Sequence, residues 1–224
     1  MRPALLDRLF APVTTLNGIG PNLGRLIERA AGSLIVDLLW HLPTGIVDRR
    51  DSPPVGEIED GAIVTLKLKV ERHEPGMRRR PYRVICYDGT GFITLVYFNV
   101  KGDYLQRLLP VGAERIVSGK VEFYVGIPQM AHPDYVVVPA EAGRIKPIEP
   151  IYPLTAGLPP RILQRAIETA VERAPALPEW VDGPLRQQRQ WPSWSDAIAA
   201  VHVPTGSADL SPATRARERL AYDE

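Results

Sequence analysis

Apolar side chains between residues 20 and 45 return every three or four positions: Leu23, Leu26, Ile27 and Ala30, then Ile35, Leu38, Leu39 and Leu42. That spacing predicts two amphipathic helices. Gly32-Ser33 separates them, and Pro43 stops the second because its ring and missing N–H cannot continue a helix. From Val64 the period shortens to two: Val64, Leu66, Leu68 and Val70 alternate with Thr65, Lys67 and Lys69, as in a half-buried strand. Tyr82–Tyr87, Ile93–Phe98, Glu114–Glu122 and Tyr135–Val138 are further runs rich in β-branched and aromatic residues, separated by turn residues such as Asp88-Gly89-Thr90-Gly91. A short helical stretch, Asp103–Leu109, interrupts the series between the third and fourth strands. Five strands with a helix after the third is the order of an OB-fold barrel; small sandwiches also give five to seven short strands.

After residue 140 the pattern changes again. Pro147, Pro150, Pro153, Pro159 and Pro160 mark an extended crossing, and Ile162, Leu163, Ala166, Ile167, Ala170 and Val171 form a helical stripe. A second short helix is expected over Trp194–Val201, with Ser193 as its cap and Asp196 in its first turn. A third is expected to begin at Ser211-Pro212 and to run to Glu224 without a stop signal, which implies a chain that continues. The fold class is therefore mixed α and β: an OB-fold barrel over residues 55–140, an N-terminal helical segment over 1–54, and a proline-rich connection with helices over 141–224.

Composition narrows the function. The 224 residues are 45% hydrophobic and 24% charged, ordinary for a globular protein, and the formal net charge is only +1, so any polyanion must be met by a local patch. The lone cysteine, Cys86, excludes an internal disulfide. No basic-then-apolar leader pattern and no long apolar run occurs, so the expected location is cytoplasmic, with no membrane partner. His41, His73, His132 and His202 are scattered, without the spacing of a zinc site, and no nucleotide-hydrolysis motif is present. No catalytic residue is assigned, and no cofactor is expected in this chain.

What remains points to nucleic acid. Arg78, Arg79 and Arg80 make the densest positive cluster, and pairing of the flanking strands would put them at a hairpin tip, a loop that borders the binding face of OB-folds. Tyr97 and Phe98 close a strand and point to opposite faces there, so either one joins the core and the other is exposed to stack on a base, or both are buried. Lys101 follows closely. Near the N-terminus, Leu16-Asn17-Gly18-Ile19-Gly20-Pro21 reads as a helix–hairpin–helix-like turn. There Gly18, Gly20 and the nearby Arg25 would meet a phosphate at a helix N-terminus.

Seven pieces in order carry a family resemblance: Leu16–Pro21; Asp37-Leu38-Leu39-Trp40-His41-Leu42-Pro43 with Asp48-Arg49; Asp88–Gly91 with Tyr97-Phe98-Asn99; Met130–Tyr135; Pro150–Gly157; Ala197-Ile198 through His202 and Pro204; and Arg219–Glu224. Together they resemble the N-terminal part of RecG, the bacterial ATP-dependent helicase family that remodels stalled forks and branched DNA. Thr44-Gly45-Ile46 replaces an Arg-Tyr pair usual in that family. The resemblance implies a wedge at the branch point of a replication fork or Holliday junction, with Phe98, ahead of Tyr97, stacking on the split bases. ATP and Mg²⁺ are expected only in helicase motor domains in cis, whose motifs this chain lacks. The protein is expected to act as a monomer in DNA repair and recombination. The competing readings are an independent OB-fold binder of single-stranded nucleic acid and a protein–protein adaptor.

Overall fold

The computed structural model describes residues 6–76, 80–99 and 103–223. In chain order its elements are α1 (Pro21–Ala30), α2 (Ile35–Trp40), β1 (Gly45–Asp48), β2 (Ile63–Glu74), β3 (Tyr82–Tyr87), β4 (Phe92–Tyr97), α3 (Tyr104–Leu108), β5 (Glu114–Lys120), β6 (Glu122–Tyr124), β7 (Ile127–Ala131), β8 (Tyr135–Val137), β9 (Ile148–Ile151), α4 (Pro160–Arg173), α5 (Gly183–Arg189), α6 (Trp194–His202) and α7 (Arg215–Asp223). They form two compact units: one spans Asp48–Pro147, and the other joins the residues up to Val47 with those from Ile148 onward. The three stretches read from the sequence thus make two units, because the first and last share one core.

In the Asp48–Pro147 unit, β2 pairs antiparallel with both β3 and β5, and β3 pairs antiparallel with β4. α3 follows, and β7 then returns parallel to β4. The full order is β6-β7-β4-β3-β2-β5-β8, the Greek-key arrangement of an OB-fold. Alternation along β2 sends Val64, Leu66, Leu68 and Val70 inward, where they meet Val84, Cys86, Ile93, Leu95, Val117 and Met130. A register shift between Val70 and Arg72 bends the long strand as a bulge does. β5 and β7 pack closely at Gly119, where a Cβ would lie 2.9 Å from Met130 Sδ on β7.

Two expectations need correction here. The fifth barrel strand is Ile127–Ala131 and not Tyr135–Val138; the latter run, as β8, adds to the far side of β5. Pro128 and the solvent-facing Ile127 hide the closing strand from a pattern search. The last helix begins at Arg215 and not beside Pro212. Ser211 Oγ accepts from Ala213 N–H in a turn, and Thr214 takes over as first acceptor, its backbone oxygen bonding Glu218 N–H at 2.9 Å.

The other unit is helical around Ile27, Leu38, Leu39, Leu163, Ile167, Ala197, Ile198 and Leu220. β1 and β9 form a two-stranded ladder at its edge. Asp37 turns back to accept from Leu34 N–H at 2.9 Å, which fixes the start of α2. Ser193 caps α6 by accepting from Asp196 N–H. α5 has no apolar stripe and is announced only by Asp182, which accepts from Leu185 N–H ahead of a proline in its first turn.

Candidate nucleic-acid interface

Strand register assembles the candidate site. Tyr82 pairs with Tyr97, so the residues just before β3 and just after β4 come to the same end of the barrel. Arg80 stands on one side of that end and Phe98 on the other. β7 reaches the same end: Ala131 pairs with Val96, and His132 follows.

Tyr97 is the last residue of β4, which is buried on both faces from Ile93 onward, and Phe98 lies beyond its end. Tyr97 points inward and is buried, its hydroxyl without a hydrogen-bond partner among the described residues. Burial, more than the nearby Cys86 and Tyr104, drives its pKa upward. Tyr97 therefore offers no free face, which corrects its assignment as a stacking residue. Phe98 lies just past the strand with 51% of its surface exposed. Asn99 then turns the chain through a left-handed conformation, φ 56°, that asparagine tolerates. Tyr104, at the start of α3, is also exposed.

Of the basic residues, Arg78, Arg79 and Lys101 lie outside the described residues. Arg80 is exposed and makes no ion pair among them. The loop is pinched at its base: a Cβ on Gly76 would lie 2.2 Å from the Arg80 carbonyl oxygen, so only glycine lets the two sides close. Glu74, the nearest acid, is engaged by Arg72 at 3.0 Å.

Gly18, Gly20 and Arg25 belong to the other unit. Gly18 takes φ 81° and Gly20 is the N-cap of α1. Among the described residues the element directly before them is the 3-10 turn Val13–Thr15 and not the α-helix of a helix–hairpin–helix. Arg25 is exposed, with a long contact of 3.4 Å to Asn22 Oδ1. Gly24, which the sequence reading passed over, is what lets α1 approach that turn, since a Cβ would lie 2.7 Å from Thr14 Cγ2.

Several motifs that look chemical are structural pins. His41 stacks on Tyr152, with ring centres 6.1 Å apart, and binds the Pro153 carbonyl. Tyr152 O–H donates to His202 Nδ1 at 3.0 Å, and His202 Nε2–H donates to the Leu39 carbonyl at 2.9 Å. Burial first, and then nearby positive charge, holds the His202 pKa down at about 4. In the barrel unit the buried Arg49 pairs with Asp134 at 2.9 Å and lies over the Tyr135 ring. Cys86 is buried, and desolvation pushes its thiol up to about 12, so it is not a nucleophile. Among the described residues no group of His, Cys, Asp and Glu could hold a metal ion, and no helix is long and apolar enough to cross a membrane.

His132 is the exception among the motif histidines. Its ring is exposed, 5.5 Å from that of Phe98 and edge-on to that of Tyr97 at 5.8 Å. The sequence signal for it was the Met130–Tyr135 run, which carried no role by itself.

Residues 12–173, well over half of the chain, match the RecG wedge domain. The chain belongs to the RecG wedge domain family. It is 28% identical to the ATP-dependent DNA helicase RecG of Pasteurella multocida over 95% of this chain and 32% of that protein. The RecG of Thermotoga maritima is also 28% identical, over 96% of this chain and 28% of that protein. A solved structure of RecG bound to a three-way DNA junction superposes with a TM-score of 0.76 at 26% identity, covering 96% of this chain and 30% of that one. The chain thus spans about a third of the length of the RecG relatives it matches. The barrel end carries two exposed rings, Phe98 and His132, and the exposed Arg80, which makes no ion pair among the described residues.

Proposed function

We propose that this chain is the branch-binding wedge of an ATP-dependent DNA helicase that acts on replication forks and Holliday junctions in repair and recombination. The observation that carries the reading is Phe98, half in water at the end of an OB-fold barrel, with Arg80 across the same strand ladder. A ring in that position stacks on a base without regard to sequence, because every base has a π-face. Arginines of the β2–β3 loop hold the adjoining phosphates, and the body of the barrel keeps the separated strands apart. Lys101, and the helix N-terminus at Gly18 and Gly20 with Arg25, are further phosphate contacts in this reading. The chain works as one copy in the cytoplasm, coupled in cis to motor domains that bind ATP and Mg²⁺; it contributes shape and contacts and no hydrolysis.

The test is fluorescence anisotropy with a model fork, a Holliday junction, a linear duplex and a single strand, each at two salt concentrations. The reading predicts tighter binding to fork and junction than to duplex, with that preference lost in Phe98→Ala. Equal, purely salt-dependent binding to all four would contradict it, and tightest binding to the single strand would favour an independent OB-fold binder.

A further inference from the structure

Phe98 sits beyond the last ladder hydrogen bond of β4, where a side chain would ordinarily be free to sample several directions. It is not left free here. Its backbone N–H donates to His132 Nε2 at 3.1 Å, and the two rings lie 5.5 Å apart at 32°. His132 is itself anchored from two sides. Its own N–H donates to the Val96 carbonyl at 2.9 Å, continuing the β4–β7 pairing, and its ring stands edge-on to the buried Tyr97 ring. The backbone at His132 is left-handed, φ 45°, a conformation uncommon outside glycine that asparagine, aspartate and histidine adopt more readily than other residues. With this turn the imidazole reaches back from the end of β7 to the first residue beyond β4.

We propose that His132 is the positioning residue of the wedge, holding Phe98 in its stacking orientation through the Phe98 N–H···Nε2 bond and extending the shelf with its own ring. This rests on the wedge reading of Phe98. The bond requires a lone pair on Nε2, so the imidazole proton sits on Nδ1 and faces away from the Phe98 amide. A histidine is suited to the place because one flat side chain supplies both the acceptor and a second π-face.

The experiment is a double-mutant cycle on the whole chain, read by anisotropy with a fork and with a linear duplex: wild type, Phe98→Ala, His132→Phe and the double variant. His132→Phe keeps a ring and removes the acceptor. It is expected to weaken fork binding about three- to tenfold, the effect of losing one hydrogen bond, with duplex binding unchanged. In the Phe98→Ala background the same change is expected to have no further effect. Equal losses in both backgrounds, or no loss where Phe98→Ala alone abolishes fork preference, would overturn the positioning role and leave the wedge reading standing. If Phe98→Ala changes nothing, both fall together. Should His132→Phe fail to fold, nitrogen NMR of the wild-type imidazole decides. An unprotonated Nε2 coupled to the Phe98 amide supports the proposal, and a proton on Nε2 overturns it.

Discussion

Leaving half of a phenylalanine in water forgoes burial worth on the order of 1 kcal/mol, so Phe98 is a small standing cost to the fold. Tyr97, one position earlier, fills the barrel. The consequence for mutation is a separation of effects. Phe98→Ala should leave the melting temperature within a degree or two and weaken fork binding by about 1–3 kcal/mol, the usual worth of one base stack. Tyr97→Ala should do the reverse in the melt, costing about 3–5 kcal/mol of stability as a large buried ring is removed. Calorimetry beside anisotropy checks both. The adjacency of the two aromatics was legible in the sequence, as was the rule that they face opposite ways. Which of them is exposed was not, because both faces of β4 are buried from Ile93 to Tyr97 and the exposure of Phe98 depends on where the strand ends.

His202 gives a residue-scale prediction of a different kind. It is buried as a neutral ring between Tyr152 and Leu39, and its folded pKa of about 4 lies below the usual histidine value of 6.5. The unfolded chain therefore binds more protons between those values, and stability falls as pH drops through that window. Denaturant melts at pH 7 and pH 5 should differ by about 2 kcal/mol from this group, and His202→Phe should flatten that difference. The motif containing His202 was plain in the sequence, but its chemistry was not. Only the fold brings Leu39, Tyr152 and His202 together from three distant segments.

At the scale of elements, the β2–β3 hairpin links the sheet to its basic loop. The neck at Gly76 leaves no room for a Cβ against the Arg80 carbonyl. Gly76→Ala should cost about 1–3 kcal/mol of stability and also weaken binding to every DNA shape, since it reshapes the loop that carries the arginines. Arg80→Ala should spare stability and lower the slope of log affinity against log salt by about one unit, equally for fork and duplex. Salt titrations of the two variants separate loop geometry from charge. Long periodic elements such as β2 and α4 were legible from spacing alone. β7 and α5 were not: one contains a proline and faces solvent at its start, and the other buries no residue.

For the molecule as a whole, the sequence periods identify barrel and helices but not their partners. α1 and α2 share a core with α4, α6 and α7, although the whole barrel lies between them in the chain. Amphipathic stripes say that a face is buried and leave open against what. The same limit explains why the family resemblance, carried by short motifs, reached further than composition did. Those motifs mark the pins at Arg49, Tyr152 and His202, the buried Arg219 of α7, and the barrel end at Phe98 and His132. Base stacking at the branch would take place at that last location. The most direct measurement places 2-aminopurine at the branch-point base of a model fork and follows its fluorescence as the chain binds. Stacking on Phe98 predicts a signal change at the branch base that is absent when the probe sits several base pairs into the duplex and is lost in Phe98→Ala. The same change at both probe positions, or a branch signal that Phe98→Ala leaves intact, would contradict the account.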